Sequence, residues 1–186
     1  MKILLVNKFY YLRGGTERYC FDFTRLLQRR GHRVIPFAMA HAQNVASEYA
    51  PFFVDEISME RSADLGRPAA ALRAAMRAIY SRQSQQKLGD LLRREKPDVA
   101  YLHNIHHQLS LSILPVLKEW GIPIAWRLHD YALFCPNSTF YSRGEVCEAC
   151  RGGRYYHAVL RACRRNSRAA SLVACLGSYL DRLLRL

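Results

Sequence analysis

Short apolar runs alternate with helical patterns along most of the chain. The run from Ile3 to Val6 is too short for a soluble helix and predicts a strand buried on both faces. Apolar residues then recur at helical spacing from Tyr19 to Leu27, which predicts a helix ending at Gly31. Residues 34–40 predict a second parallel strand, in which Pro36 indicates a sheet edge or a bulge.

The later elements continue this alternation after a less regular stretch. Residues 41–67 contain only one strand-like piece, at 52–54, and a loose Ser, Ala, Asp and Gly stretch before Pro68. A long helical pattern with two apolar stripes runs from 69 to about 96 and stops before Pro97. A strand, a helix and a strand are then predicted at 98–103, 109–120 and 122–129. The alternation predicts an α/β protein with a doubly wound parallel sheet.

The turn between the first strand and the first helix contains Gly14 and Gly15. Glycine permits backbone conformations and close approaches that a side chain forbids. The free N–H groups at the start of the next helix favour an anion. Adjacent glycines also occur in ordinary strand–helix connections, so spacing alone leaves both interpretations open. An NAD-type site is not indicated, because the three-glycine fingerprint is missing and the second strand is followed by His41 rather than an acid.

Histidines follow two of the predicted strands. Ligands of a doubly wound sheet bind outside the carboxyl ends of the strands, which is where His103 and His129 are expected. Asp130 could orient the His129 imidazole or bind a sugar hydroxyl, although a local hydrogen bond without a chemical role is the alternative. His103, His106 and His107 are clustered, but no carboxylate at metalloprotease-like spacing supports a catalytic metal there.

Composition and charge narrow the function classes. The chain has 186 residues, half of them apolar, which suits one domain with an ordinary core. The start lacks a secretory signal and no run approaches the roughly 18 apolar residues of a spanning helix, so we expect a cytoplasmic protein. The net charge is +13, with +6 in each of the segments 61–96 and 143–186. These segments predict contact with phosphate-rich partners, namely an anionic membrane, lipid-linked phosphates or nucleic acid, or they are solvated arginine-rich faces.

A cysteine cluster occupies the segment 131–165. It has the spacing C-x11-C-x2-C-x12-C and consists of Cys135, Cys147, Cys150 and Cys163. In a cytoplasmic protein this spacing favours a structural zinc site over disulfides, with an iron–sulfur centre or free, oxidisable thiols as alternatives. Zinc binding contributes roughly 10–16 kcal/mol in zinc-finger peptides. Ordering 29 residues costs about 30–60 kcal/mol, so side-chain packing must also hold the segment. Cys20 and Cys175 are predicted to be core residues.

Taken together, these features resemble the N-terminal domain of family 4 glycosyltransferases, which are retaining GT-B enzymes that use nucleotide-sugars. The resemblance rests on the strand ending in Asn7, the turn Gly14–Glu17, the helix end Arg30–His32, the strand Asp98–His103 and the segment Leu128–Tyr131. The cysteines resemble a variant in a subset of the family. The resemblance covers residues 1–186 and implies a Rossmann-like doubly wound sheet with a Cys-rich insertion near the C-terminus.

The resemblance also implies roles for individual residues. Gly14, Gly15, Thr16 and Glu17 would lie on the donor diphosphate side of the cleft. His129 would contact the transferred sugar near the reacting carbon, with Asp130 in support. His103, Asn104 and His106 would line the acceptor side. The implied reaction moves a sugar from a nucleotide-sugar to a hydroxyl of a glycan or lipid-linked acceptor, as in polysaccharide biosynthesis, with retention and without a required metal cofactor.

The family pattern includes a second, nucleotide-binding domain with an E-x7-E motif, and these 186 residues do not contain that domain. Glu48 and Glu56 have the spacing by chance, because Pro51 between them prevents a shared helix face. We therefore expect an acceptor-side domain that is inactive alone. The competing hypothesis is a basic nucleic-acid-binding module with a zinc knuckle, whose affinity would fall steeply with salt. That hypothesis leaves the cleft residues without a purpose, so no nucleic-acid partner is expected. Peripheral contact with an anionic membrane is compatible with the enzyme hypothesis, because a lipid-linked acceptor would need it.

Overall fold

Four parallel strands form the main sheet of the computed structural model, which describes residues 1–57 and 68–184. They are β1 (Lys2–Val6), β2 (Arg33–Phe37), β3 (Val99–Leu102) and β4 (Ile124–Trp126), in the order β2-β1-β3-β4. Central β1 is apolar on both faces because helices flank the sheet, and Leu4 at its middle is completely buried. The predicted α/β fold with a parallel, Rossmann-like sheet is confirmed.

The strand order places a switch point between β1 and β3. The chain leaves β1 towards β2 on one side and then crosses to β3 on the other side. In open α/β sheets the crevice at the carboxyl ends of two such strands is the usual ligand site. The loop after Val6 and the loop after Leu102 both begin at this crevice.

Four helices accompany these strands in the described part of the chain. They are α1 (Gly15–Arg29), α2 (Pro68–Ile79), α3 (Arg82–Glu95) and α4 (Ile113–Glu119). Helix α1 ends before Gly31, whose φ of 79° is the left-handed conformation that favours glycine. Helix α3 buries Leu88, Leu91 and Leu92 completely, so the second predicted apolar stripe does face the core.

The single long helix predicted from 69 to 96 is wrong. The chain breaks at Tyr80 and Ser81, where the Ser81 side chain accepts a hydrogen bond from the Ser84 N–H at 3.1 Å and caps α3. No glycine or proline marks this break, so the two stripes read as one helix. The first predicted stripe does not face the core, because Leu72 and Met76 on α2 are 62% and 60% exposed.

Two smaller predictions, at residues 52–54 and 109–120, also need correction. Residues 52–54 do not form a strand, since Ala50–Phe52 is a short 3-10 helix and Val54 makes only a single parallel bridge to Met39. The helix predicted at 109–120 begins only at Ile113, although Leu109 and Leu111 before it are buried. The loose stretch predicted before Pro68 lies outside the described residues.

The chain divides into two compact units, Met1–His129 and Asp130–Leu186. The second unit contains a hairpin of β5 (Tyr141–Ser142) and β6 (Glu145–Val146), a short 3-10 helix (Arg151–Gly153), α5 (Tyr156–Leu160) and α6 (Arg168–Leu183). The sequence did not indicate this hairpin. Its turn residues Arg143 and Gly144 both have positive φ, at 57° and 85°, which suits the tight turns of two-residue hairpins.

The two isolated cysteines are core residues, as predicted. Cys20 packs with Leu5 and Val34 in the first unit, and Cys175 packs with Tyr155 and Ala158 in the second. Burial raises the pKa of the Cys20 thiol to about 12, so this side chain behaves as a small apolar residue. Among the helices of the described ranges, none is long and apolar enough to cross a membrane.

Candidate active site

The turn between β1 and α1 is open at its two glycines. Gly14 has extended backbone angles, φ −164° and ψ −163°, that any residue can adopt, and a Cβ atom on Gly15 would meet nothing within 4 Å. Neither glycine therefore adopts a conformation here that requires glycine. The exposed start of α1 has no side-chain cap and space in front of it, which is the arrangement that an approaching anion can use.

Hydrogen bonds tie this turn to the loop after β3. The Asn7 amide donates to Glu17 Oε1 at 3.1 Å, and Asn7 Oδ1 accepts the backbone N–H of Asn104 at 3.3 Å. The Asn104 amide in turn donates to Thr16 Oγ1 at 3.4 Å. Glu17 is only 5% exposed, so its carboxyl group supports the turn from inside the protein. These bonds hold the glycine turn at the switch point.

A histidine pair occupies the same end of the sheet. His103 Nδ1 and His129 Nε2 are 2.9 Å apart, which joins the ends of two neighbouring strands. His103 is 1% exposed, and its backbone carbonyl accepts the indole N–H of Trp126 at 2.9 Å. The sequence placed both histidines at this edge, but it gave no indication that they bond to each other.

Aromatic rings and one guanidinium surround the pair. The rings of Tyr101 and Tyr19 lie edge-on to His103, with centroids 4.5 Å and 5.7 Å away, and their hydroxyls are 3.1 Å apart. The Arg127 guanidinium stacks 4.0 Å over the Tyr19 ring. Hydrogen bonding to Tyr101 raises the pKa of Arg127. Sequence reasoning missed these three residues as site residues. The signal available was that Tyr101 and Arg127 lie near the carboxyl ends of predicted strands, as the histidines do.

Electrostatics keep His103 neutral. Burial above all, and then the nearby His129 and the positive charge of Arg127, together lower the pKa of His103 to about 4. At neutral pH the His103 ring therefore carries a single proton and can donate one hydrogen bond and accept another.

The comparison with protein families agrees with this geometry. The model of Glycosyltransferase Family 4 matches residues 13–185, which include the glycine turn and both histidines. The chain belongs to glycosyltransferase family 4. Membership supports a glycosyltransferase-type function. Searches of curated proteins and of solved structures found no match for this family 4 domain.

The other predicted site residues of this family 4 domain have local partners. The His106 ring lies 5.8 Å from the indole of Trp126, on the first unit. Asp130 opens the second unit, and its Oδ1 accepts the backbone N–H of Ala132 at 2.9 Å. The imidazole partner of His129 that the structure shows is His103. Acceptor contact by His103, Asn104 and His106, and support of His129 by Asp130, stay predictions.

The four clustered cysteines lie near one another in the second unit. Burial above all, together with the charges of Cys135, Cys163 and Cys147, raises the pKa of Cys150 to about 11. Cys147 Sγ accepts from the Arg161 guanidinium at 3.3 Å, and Cys163 Sγ accepts from the Ser142 hydroxyl at 3.4 Å. Within residues 1–57 and 68–184, however, no three His, Cys, Asp or Glu side chains are placed to hold a metal ion. The thiols are the right type for zinc, but their placement does not form a coordination site, so structural zinc stays a prediction.

Proposed function

We propose that this domain forms the acceptor side of a retaining glycosyltransferase site, which moves a sugar from a nucleotide-sugar to a hydroxyl of a glycan or lipid-linked acceptor. The observation that supports the proposal is the convergence of two features at one switch point. The uncapped start of α1 and the His103–His129 pair meet there and are joined through Asn7 and Asn104. An anion-binding element beside a polar, partly enclosed pair suits a reaction whose leaving group is a phosphate.

In this proposal the glycine turn faces the donor diphosphate. Negative charge develops on the departing phosphate oxygen during transfer, and fixed N–H groups stabilise that charge without reorganising. Gly14 and Gly15 are exposed and carry no side chain that would block the approach, while the positive end of the α1 dipole points outward. Thr16 and Glu17 hold the turn in place through Asn104 and Asn7.

His129 contacts the transferred sugar in this proposal, and Asp130 supports that segment. Asn104 and His106 face the acceptor. No bound metal takes part in the transfer, as the family resemblance implies. A second, nucleotide-binding domain holds the donor, so residues 1–186 alone bind the diphosphate weakly and do not turn over.

Binding of inorganic pyrophosphate to the 186-residue chain tests the anion site. We expect weak binding, with a dissociation constant of about 1 mM or above, that shifts the amide resonances of Gly14–Glu17 in a ¹H–¹⁵N spectrum. Gly15→Ala is the test variant, because the new methyl group meets no atom of the protein and in this proposal would occupy space that the anion needs. The variant should keep the spectrum of the fold and lose most of the binding. Equal binding by Gly15→Ala, or shifts confined to other residues, would refute this role.

Two further experiments test whether residues 1–186 need a separate donor-binding domain for activity. The chain incubated with a panel of nucleotide-sugars should release no nucleoside diphosphate above the rate in buffer, and turnover by the chain alone would contradict the proposal. The coding sequence beyond residue 186 should continue into a second Rossmann-like half with an E-x7-E motif. Continuation into an unrelated sequence would count against a two-domain enzyme.

Helix α2 supports the proposed peripheral contact with an anionic membrane. Its exposed Leu72 and Met76 alternate with Arg73 and Arg77, a pattern typical of helices that lie in the membrane interface. We expect the chain to co-sediment with vesicles containing phosphatidylserine and not with neutral vesicles, and Leu72→Ser should reduce this fraction severalfold. Equal sedimentation with both vesicle types would remove the electrostatic part of the proposal.

A further inference from the structure

We propose that His103 is a positioning residue that donates its Nδ1–H to Nε2 of His129 and thereby fixes His129 in the tautomer with the proton on Nδ1. The inference rests on the proposed function in one respect only, which is that His129 contacts the transferred sugar. The tautomer itself follows from the bonds and burial of the pair.

The two nitrogens share one proton. His103 Nδ1 and His129 Nε2 are 2.9 Å apart, which is an ordinary distance for a hydrogen bond between nitrogen atoms. One ring must donate and the other must accept, because two N–H groups or two lone pairs cannot face each other at this distance. The open question is which histidine donates.

The other nitrogen of His103 decides the direction. His103 Nε2 is buried and has no hydrogen-bond partner among the described residues. If Nδ1 accepted, the proton of the neutral ring would sit on Nε2 and leave a buried donor without an acceptor. If Nδ1 donates, Nε2 carries only a lone pair. Orphaned buried N–H groups are rarer than under-satisfied acceptors, so the donating tautomer of His103 is favoured.

The surroundings of His103 oppose both a second protonation and a reorientation of its ring. Its pKa of about 4 keeps a second proton away at neutral pH. The rings of Tyr101 and Tyr19 pack against its sides at 4.5 Å and 5.7 Å. The Trp126 indole donates to the His103 backbone carbonyl at 2.9 Å, which fixes the backbone from which the ring extends.

The consequence lies on His129. A neutral imidazole that accepts on Nε2 carries its proton on Nδ1 and presents a hydrogen-bond donor there. In a sugar-transfer site such a donor meets an oxygen, either a sugar hydroxyl or a phosphate oxygen, with a fixed direction. His103 thus acts through His129 and need not touch the substrate.

Imidazole ¹⁵N spectra of the full 186-residue chain at pH 7.5, without donor or acceptor, test the inference. Long-range ¹H–¹⁵N correlation distinguishes protonated from unprotonated ring nitrogens, and the His129 signals are identified by their loss in His129→Asn. We expect His129 to show a protonated Nδ1 and an unprotonated Nε2. A His129 ring with the proton on Nε2 in the unsubstituted chain would overturn the inference.

Two substitutions of His103 separate positioning from packing. His103→Asn can still donate from its side-chain amide at the δ position and should keep the Nδ1–H tautomer of His129. His103→Phe keeps an aromatic ring but has no donor, so His129 should shift towards the Nε2–H form. An unchanged His129 tautomer in a folded His103→Phe protein would overturn the inference. If that variant does not fold, the tautomers of the unsubstituted chain and of His103→Asn decide. None of these outcomes depends on pyrophosphate binding or turnover, so failure here and failure of the proposed function are distinguishable.

Discussion

Different interactions stabilise the interior of each of the two units of the chain. In the first unit, completely buried aliphatic side chains cover both faces of the sheet, among them Leu4, Ile35, Leu88, Leu91, Leu92 and Leu102. In the second unit, the buried cluster consists of Cys150, Tyr155, Ala158 and Cys175. Many of its large apolar side chains are instead exposed, including Tyr131, Phe134, Val146 and Leu160. The second unit also contains an open pocket of about 740 Å³, lined by aromatic side chains such as Tyr131 and Phe140 and by charged ones such as Glu148 and Arg182.

The difference indicates what each unit can do without help. Close-packed aliphatic burial gives the first unit its own stability, so it can hold Asn7, His103 and the glycine turn in fixed positions. The second unit spans only Asp130–Leu186 and contains an open pocket of about 740 Å³. Segments of this size usually need a metal, disulfides or a partner surface. We therefore expect the second unit to depend on its cysteines, whereas the first unit does not.

Metal content should give the largest contrast between the units. If the cysteine spacing encodes structural zinc, protein expressed in zinc-supplemented cytosol should contain about one zinc per chain. Metal binding contributes roughly 10–16 kcal/mol in zinc-finger peptides, so a chelator should abolish slow amide exchange in the second unit. Exchange at β1 and β3 in the first unit should not change.

The control for this experiment is the double variant Cys147→Ser, Cys150→Ser, which removes half of the predicted ligands. It should bind no zinc and show the exchange pattern of the chelated protein. Metal content well below one zinc or iron per chain would make the prediction wrong. In that case exchange in the second unit would be insensitive to chelators and would report its aromatic packing alone.

Truncation of a core leucine should have the next largest effect. Leu4 is completely buried, so Leu4→Ala loses burial and leaves a cavity, at a cost of about 2–5 kcal/mol in the free energy of unfolding. The same substitution at Leu160, which is 65% exposed in the second unit, should cost less than about 0.5 kcal/mol. Urea denaturation followed by tryptophan fluorescence measures the first change, because Trp120 and Trp126 lie in the first unit. Similar losses for both variants would contradict the comparison.

The sheet was predictable from sequence because its signals are local. Four apolar runs bounded by turn residues gave the strands, and an apolar stripe from Tyr19 to Leu27 gave α1. The break at Ser81 was not predictable from pattern. It depends on hydrogen bonds with Ser110 and Ser112, which lie about 30 residues away along the chain. The hairpin at β5 and β6 was missed because two-residue strands are too short for a periodic pattern.

The candidate site was predictable in place but not in detail. The rule that ligands bind at the carboxyl ends of strands located the glycine turn, His103 and His129. The bond between the two histidines depends on how neighbouring strands align, and that register is a tertiary property. The supporting role of Tyr19 was hidden for a similar reason. A tyrosine on an apolar helix face looks like a core residue until the strand opposite it is known.

Acidification should destabilise the first unit in a defined window. The pKa of His103 is lowered from 6.5 to about 4 by burial, so the folded state binds fewer protons than the unfolded state. Its stabilising contribution is complete above pH 6.5 and is lost as the pH falls towards 4. The shift of about 2.5 units corresponds to about 3 kcal/mol at 1.36 kcal/mol per unit. Urea midpoints of the tryptophan-monitored transition between pH 7.5 and 4 measure the loss, and His103→Asn should flatten this dependence.

The second unit should respond to pH in the opposite direction. Burial raises the pKa of Asp181 from 3.8 to about 7, so the folded state binds more protons there. The contribution of Asp181 is complete below pH 3.8 and is lost as the pH rises towards 7. Amide exchange in α6 should therefore accelerate from pH 5 to 7 beyond its intrinsic rate increase, and Asp181→Asn should remove the excess. The same pH trend for both units would show that one shared transition governs them.

Two helix caps should show the smallest and most closely matched contrast. Ser81 caps α3 from a completely buried position and bonds to Ser84 and Ser110. Ser167 caps α6 from a partly exposed position through the Ala170 N–H at 3.2 Å. Ser81→Ala removes the cap and leaves buried polar partners unsatisfied, so it should lower the free energy of unfolding by about 2 kcal/mol. In Ser167→Ala water can replace the lost bond, so the loss should be about 0.5–1 kcal/mol. Urea denaturation of the first variant and amide exchange in α6 of the second measure these changes. A cost at Ser81 no greater than that at Ser167 would mean that the buried serine network adds nothing to a simple cap.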